Sequence, residues 1–497
     1  MPDAPDQTQH TDAPRHLSSD EFRRLAHDAV DLILDYHETI GERPVRSAVK
    51  PGDVLRAMPD KPPQAGIDHT QWPDILEDVR SIVLPALTHW QSPGFFGYFP
   101  ANGSWPAVLG DLISTGLGVQ GMLWQTGPAI TEVETRMLDW MAHLGGLPDR
   151  FLSTGAGGGV IQGTASEATL VAMVAARHRF RKAHPHTNPG TLVAYTSNQA
   201  HSSVLKATRI AGIEHLRLIA TDANHAMDTE ALRTKINEDL NAGLTPFYIC
   251  ATAGSTSSGA FDPIDRIAAV RAEHCPDAWV HVDAAWAGSA TVCPEHRWFL
   301  EGVEHADSYC TNPHKWLLTN FDCDLFYIAD RANLIDAMSV TPEYLRNSAT
   351  DSGEVIDYRD WQVPLGRRFR ALKLWFVMRH YGAEGLRAHI RQHVAWTEWL
   401  ERQVLADDRF ELAAPRALSL LCLRLTGDRD HETKALLEAA NATGRVLLTH
   451  TTLPDADGRE RSTIRVAIGG MGNTFESVQA LWQLLTELAD AATSDAT

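Results

Sequence analysis

Lysine is the scarcest charged residue in this chain: 497 residues contain eight, namely Lys50, Lys61, Lys182, Lys206, Lys235, Lys315, Lys373 and Lys434. Acidic residues outnumber lysine plus arginine by 63 to 44, a formal net charge of −19. That argues against non-specific nucleic-acid binding, which needs a basic face. Runs of ~18 apolar residues are missing, so no membrane-spanning helix is expected. The opening MPDAPDQTQHTDAPRH lacks the basic and apolar parts of a signal peptide, and residues 1–17 read as a disordered tail. Cysteine is sparse: Cys250, Cys275, Cys293, Cys310, Cys323 and Cys422 include no C-x-x-C pair, which argues against a cysteine-based zinc site. Buried free thiols in a cytoplasmic protein are expected.

What is present reads as a soluble globular protein of two or three domains, with 44% hydrophobic and 22% charged residues. Ser18 followed by Glu21 forms a capping box, and Phe22, Leu25, Ala29, Ile33 and Tyr36 recur at helical spacing. The Pro- and Gly-rich arm that follows gives that apolar face little local core. It is expected to pack on the main domain or on another subunit. From about 130 to 330, short apolar runs (191–197, 246–252, 279–285, 307–312) alternate with helical stretches such as 166–183, the signature of a mostly parallel, doubly wound α/β sheet. Ligands of such sheets bind at the strand ends. After about 375 comes a smaller α+β domain: a helix over 383–405, a strand over 417–425, a helix near 431–443, two strands and a final helix over 474–493.

Five polar features fall at strand ends. GAGGGVIQGTASEATL (155–170) reads as a glycine-rich loop entering a helix near Ser166, where free N–H groups and the helix dipole suit a phosphate, although a flexible loop before a capped helix would look alike. It matches neither a dinucleotide-binding nor a Walker pattern. Asp283 in WVHVDAAWAG could lie against a ring or merely cap a helix. His201 in SNQAHSS and Thr256 in AGSTSSGAFDP are ordinary loop residues taken singly. Lys315, in TNPHKWLLTN, sits at the edge of an apolar run. Burial lowers a lysine's pKa and frees it as a nucleophile, and capture of an aldehyde removes the charge that makes burial costly. A salt-bridged or snorkelling lysine is the alternative. Together the five suit one ligand, pyridoxal 5′-phosphate, which needs a lysine, an anion beside its ring nitrogen and a phosphate site.

VHVDAAWAG, NPHKWLL, SNQAHSS, GVIQGTASEATLVA and DYRDWQVPLGRRFRALKLWFV resemble the group II pyridoxal-phosphate-dependent aromatic-L-amino-acid decarboxylases, over about residues 18 to 485. The resemblance implies the aspartate-aminotransferase-like fold type I. It also implies a homodimer with its active site at the interface, an N-terminal helical arm (18–105) that wraps the partner, a large cofactor-binding domain (106–375) and a small C-terminal domain (376–497). By position, Lys315 would hold the cofactor, Asp283 would pair with its ring nitrogen and His201 would stack on the ring. Ala165, Ser166, Ser308 and Asn312 would hold the phosphate, Thr256 would sit beside the ring, and His314 would line the site.

Tyr344, in a polar loop over 339–353, matches the family's proton-donating tyrosine. Relatives that make aldehydes tend to carry phenylalanine there, or to replace the stacking histidine. Trp90, Tyr98, Phe99 and Pro100 match aromatic-pocket residues, and Gly366 leaves room where histidine-decarboxylating relatives are expected to carry serine. Ala101, Gln120 and Met122 depart from animal relatives, and the Gln120 amide could accept a ring hydroxyl or an indole N–H. The implied reaction is decarboxylation of tryptophan, phenylalanine, tyrosine or dopa. An aldehyde synthase, a decarboxylase of a non-aromatic acid such as histidine or glutamate, and a non-catalytic binding protein are the alternatives.

Overall fold

Apolar runs rich in valine, isoleucine and aromatic residues form the strands of the central sheet, because β-branched and aromatic side chains fit a surface covered on both faces. The computed structural model describes residues 16–67, 70–340, 342–455 and 457–494; most of the expected N-terminal tail, residues 1–15, lies outside them. The described residues divide into two compact units, one up to Ser92 and one from Pro93 onward.

The first unit is led by the helix Ser19–Thr39, whose capping box forms as expected, Ser18 accepting from the Glu21 N–H while Glu21 accepts from the Ser18 N–H. Of its apolar stripe only Leu25 is buried; Phe22, Val30, Ile33 and Leu34 stay exposed.

The second unit carries a seven-stranded sheet: β1 (Gly158–Gln162), β2 (Leu192–Ser197), β3 (His215–Ile219), β4 (Thr245–Thr252), β5 (Trp279–Asp283), β6 (Ser308–Thr311) and β7 (Asp324–Ile328). The order is β1-β7-β6-β5-β4-β2-β3. Strands β2 to β6 are parallel, and β7 runs antiparallel to both β6 and β1. The four strands read from the sequence are β2, β4, β5 and β6.

One expectation is corrected. Residues 155–170 are not a single glycine-rich loop, because β1 lies inside them. The glycines serve close packing: a Cβ on Gly157 would stand 1.9 Å from the Arg150 carbonyl oxygen, and one on Gly159 would stand 2.9 Å from Leu138 and Tyr327 side-chain carbons. Strand β3 also escaped notice, since His215 and Arg217 break its apolar pattern.

A four-stranded antiparallel sheet follows, ordered β10-β11-β9-β8, from β8 (Phe410–Leu412), β9 (Leu420–Leu425), β10 (Thr449–Pro454) and β11 (Glu460–Ala467). It packs Leu421, Leu423, Ile464 and Val466 against Leu481 and Leu485 of the helix Phe475–Ser494. The helix Arg370–Leu405 breaks at Gly382, where φ is 62° and ψ −179°. That is a conformation costly for any residue with a Cβ, and it explains why helical periodicity restarts at 383.

Candidate active site

The carboxyl ends of β4, β5 and β6, with the start of the helix Ala165–Ala183, enclose a cavity of about 230 Å³. Its lining includes Lys315, Asp283, His201, Thr256, Ala165, Ser166, Asn312, His314 and Phe99, nine residues singled out from the sequence. Crossover connections bring them together, because parallel strands end on one edge.

Asp283 ends β5 and is buried; its Oδ1 accepts from the Ala285 N–H at 3.1 Å, with Cys310 Sγ 3.9 Å away. Thr252 on β4 and Cys310 on β6 flank it in register. Asp324, the first residue of β7, is fully buried; burial and the charges of Asp283 and Glu167 push its pKa well above the usual carboxylate range, against the pull of Lys315.

Lys315 sits in the single turn Pro313–Trp316. Asn102 clamps that turn, donating to the Lys315 carbonyl at 2.6 Å and to that of Gly469 at 3.3 Å. The Lys315 amine lies 5.6 Å from the Phe99 ring centre. Its tip keeps some contact with the open cavity, yet enough protein surrounds it that burial lowers the amine's pKa, against the opposing pull of Asp283. The neighbouring His314 is pushed down to about 3 by burial and by the Lys315 charge, and its Nδ1 faces the N–H and carbonyl of Cys323 at 3.0 and 2.8 Å. Both shifts favour uncharged groups around the amine.

At the helix start, Thr164 stands at the N-cap without capping through its side chain. Asn312 Oδ1 accepts from the Ala165 N–H at 3.2 Å and ties this end to the lysine turn. First-turn N–H groups and the helix dipole make this an anion site. His201 Nδ1 accepts from the Ser203 N–H at 3.2 Å, orienting the ring. Burial lowers its pKa; Asp283 opposes this and Lys315 adds to it, so the ring is neutral at neutral pH. Phe99 stacks on Trp286 at 4.3 Å, and Trp286 on Trp316 at 5.4 Å, to form an aromatic wall.

Other expected residues fall elsewhere. Ser308 opens β6 at its far end, where its hydroxyl meets the Trp279 indole N–H and His281 Nδ1, each at 2.8 Å, and it does not line the cavity. Gln120, Met122 and Gly366 form a separate group, Met122 half-buried and the other two exposed: Gln120 Oε1 accepts from the Met122 N–H at 2.6 Å, and a Cβ on Gly366 would stand 3.4 Å from Gln120 Nε2. Tyr98 is exposed and Pro100 buried, flanking Phe99, with Ala101 next in the chain. Trp90 belongs to the first unit. The backbone of Tyr344 forms part of the turn Glu343–Leu345, and its side chain is outside the described set. Trp286, Phe321, Thr252 and Thr164 line the cavity unforeseen. Trp286 stood inside a quoted motif three residues past Asp283, which was the available signal.

The arrangement presents an amine in a cavity, a strand-end carboxylate and an anion-binding helix start. An aldehyde-bearing, phosphorylated heteroaromatic ring fits that donor set. Residues 51–426 match the model of the pyridoxal-dependent decarboxylase conserved domain. The chain is 44% identical over 484 residues to tyrosine decarboxylase 2 of Narcissus pseudonarcissus, covering 95% of each chain. It is also 44% identical over 484 residues to a phenylacetaldehyde synthase of Arabidopsis thaliana, covering 95% of this chain and 96% of that one. The crystal structure of Oryza sativa TDC with PLP and tryptamine superposes with a TM-score of 0.93 at 40% identity, over 97% of this chain and all of that one.

Proposed function

This chain belongs to the pyridoxal-dependent decarboxylases, carboxy-lyases that use pyridoxal 5′-phosphate, and from that premise we propose that it converts aromatic L-amino acids (tryptophan, phenylalanine, tyrosine or dopa) to their amines and CO2. One observation carries the reading: the Lys315 amine, the Asp283 carboxylate and the helix start at Ala165 and Ser166 share one cavity walled by Phe99 and Trp286.

When bound, the cofactor supplies an aldehyde that captures amines and a conjugated ring that takes up the electron pair left as CO2 departs. Lys315, its amine freed by burial, would hold the aldehyde until a substrate amine displaces it. The helix start at Ala165 and Ser166, with Asn312, would carry the phosphate. Asp283 would keep a proton on the ring nitrogen, where a nearby negative charge stabilises it. His201, neutral and oriented by Ser203, would lie against the ring face, with Thr256 beside it and His314 lining the site. Phe99 and Trp286 would exclude water and receive an aromatic side chain. Tyr344 would deliver the proton to Cα, an assignment that rests on the resemblance of its loop.

The same reading makes the protein a homodimer with its site at the interface. The exposed apolar stripe of the first helix supports it, as does the separation of Gln120, Met122 and Gly366 from the cavity: in a dimer these three would complete the pocket of the partner subunit. Six free, buried cysteines favour a cytoplasmic location. Among the described residues no helix is long and apolar enough to cross a membrane.

A panel of L-amino acids scored for CO2, amine and aldehyde tests the proposal: aromatic acids should yield CO2 and amine in equal amounts. The similarity to a phenylacetaldehyde synthase makes aldehyde formation the competing reading, and stoichiometric ammonia and peroxide in place of amine would establish it. Retention of both Tyr344 and His201 favours the amine.

A further inference from the structure

The two-residue period of a strand puts Trp279, His281 and Asp283 on one face of β5. Ser308 and Cys310 of β6 lie on the same face, because His281 pairs with Ser308 and Asp283 with Cys310. All five are 5% exposed or less, and of the five only Asp283 lines the cavity. Their polar atoms form a chain whose direction is set from its far end. The Trp279 indole N–H, which can only donate, reaches Ser308 Oγ at 2.8 Å. That leaves the serine hydrogen for His281 Nδ1, also at 2.8 Å. Burial pushes the imidazole down to about 4, so it is neutral and carries its one hydrogen on Nε2. Nε2 faces Cys310 Sγ at 3.8 Å. Burial keeps Cys310 a thiol, and its single hydrogen is left for Asp283 Oδ1 at 3.9 Å. Sulfur is a weak donor and acceptor, so these last two links are the loosest. Among the described residues no other hydrogen-bond partner is found for either His281 Nε2 or Cys310 Sγ.

We propose that Cys310 is a positioning residue for the cofactor's ring nitrogen: as the last link of this buried chain, its thiol holds the Asp283 carboxylate so that Oδ2 is the oxygen presented to the ring. This rests on the proposed function, which takes Asp283 as the partner of that nitrogen. Both protein bonds to the Asp283 side chain fall on Oδ1, one from the Ala285 N–H at 3.1 Å and one from Cys310. No hydrogen bond to Oδ2 is found among the described residues. A carboxylate turns about its Cβ–Cγ bond, and a turn would exchange its two oxygens. Donors from two different segments, the turn after β5 and the neighbouring strand β6, oppose that rotation. The charged and titratable groups that interact with Asp283 across the cavity and the sheet include Lys315, His201 and Asp324, and none of these three donates a hydrogen bond to it. Its orientation therefore falls to Ala285 and Cys310. Ser308 gains a role here as well: away from the cavity, it sets which nitrogen of His281 carries the hydrogen.

Two measurements test this. In apoenzyme, the infrared S–H band that Cys310→Ala removes from the parental spectrum reports the thiol directly. It is expected at the low frequency of a hydrogen-bonded thiol and should rise in Asp283→Ala; a band that stays in place would show that the thiol does not donate to Asp283 and would overturn the proposal. In holoenzyme reconstituted with pyridoxal 5′-phosphate isotopically labelled at its ring nitrogen, Cys310→Ala is expected to move the nitrogen resonance toward its unprotonated value. The same variant should lower kcat about 3- to 10-fold, the worth of one hydrogen bond, with KM changed less than about twofold. Cys310→Ser, which keeps a donor and an acceptor, should restore most of both. A parental resonance in Cys310→Ala, or equal losses in the alanine and serine variants, would reduce Cys310 to packing and overturn its positioning role. Should the alanine variant fold poorly, Cys310→Val fills the volume without the donor and is read in its place. The infrared band needs neither cofactor nor substrate, and the resonance needs no turnover. A protein that decarboxylates no aromatic acid would therefore sink the proposed function while these two readings still decide the role of Cys310.

Discussion

At the scale of single residues, the chemistry turns on charge removed from where it is costly. Burial depresses the amine of Lys315 and the imidazoles of His314 and His201, so the groups around the cavity favour neutral forms and a nucleophilic nitrogen. Lys315→Ala is expected to abolish turnover and the cofactor adduct that borohydride fixes to the protein, read by absorbance and peptide mass; full activity in that variant would refute the assignment. Tyr344→Phe is expected to slow amine formation and divert product toward aldehyde, measured by product chromatography. A variant that makes amine at the parental rate would remove Tyr344 from the proton path. Asp283 and Lys315 were legible because a polar residue stood at the end of an apolar run, and His201 became so only beside them. Phe321 was not, because a phenylalanine six residues past Lys315 gives no sign in the sequence that it lines the same cavity.

At the scale of elements, the helix Arg370–Leu405 joins the two sheets' surroundings and carries a buried histidine pair. His393 Nδ1 accepts from the Trp316 indole N–H at 3.0 Å, one residue past Lys315, and His389 packs edge-on against His393 at 4.4 Å. Burial pushes His389 down to about 4 and His393 well below the usual range. Between about 4 and the unfolded value near 6.5, the unfolded chain binds more protons at His389 than the folded one does. Its contribution is therefore complete above that window and is lost as pH falls through it, by up to about 1.4 kcal/mol per pH unit. His389→Gln should flatten the dependence of the urea midpoint on pH between 5 and 6.5 by about one proton, and an unchanged slope would count against a neutral buried His389. Asp262 acts in the opposite sense: burial raises it to about 7, so its stabilisation is lost as pH rises toward that value. Strand β1 illustrates what element-level reading misses. Gly159 within it and Gly157 just before it look like flexibility in the sequence, and close approach of Leu138 and Tyr327 to the one and of Arg150 to the other is their reason in the fold.

At the scale of the whole molecule, the pocket residues divide into two groups, one around Lys315 and one around Gly366, and a homodimer would unite them. That makes a specific expectation. Lys315→Ala and Gly366→Trp should each be inactive alone, whereas co-refolded or co-expressed mixtures should regain activity, because one site of the mixed dimer combines an intact Lys315 with an intact Gly366 from the other subunit. Sedimentation should give a particle of about twice the 54.8 kDa chain mass. Mixtures that stay inactive while forming the mixed dimer would place both groups of residues in one subunit's site.

The sequence by itself determined the chemistry that was possible. Apolar runs alternating with helical periods specified a parallel sheet, strand-end residues specified an amine, a carboxylate and an anion site, and long ordered motifs specified the family. These signals are local, carried by neighbours along the chain. Tertiary structure decided everything that depends on which distant segments meet: that Ser308 spends its hydroxyl on Trp279 and His281, that Phe99 and Trp286 form one wall, and that Asn312 ties the lysine turn to the helix start at Ala165. Burial and partnership are properties of surroundings, and surroundings exist only once the chain has closed on itself.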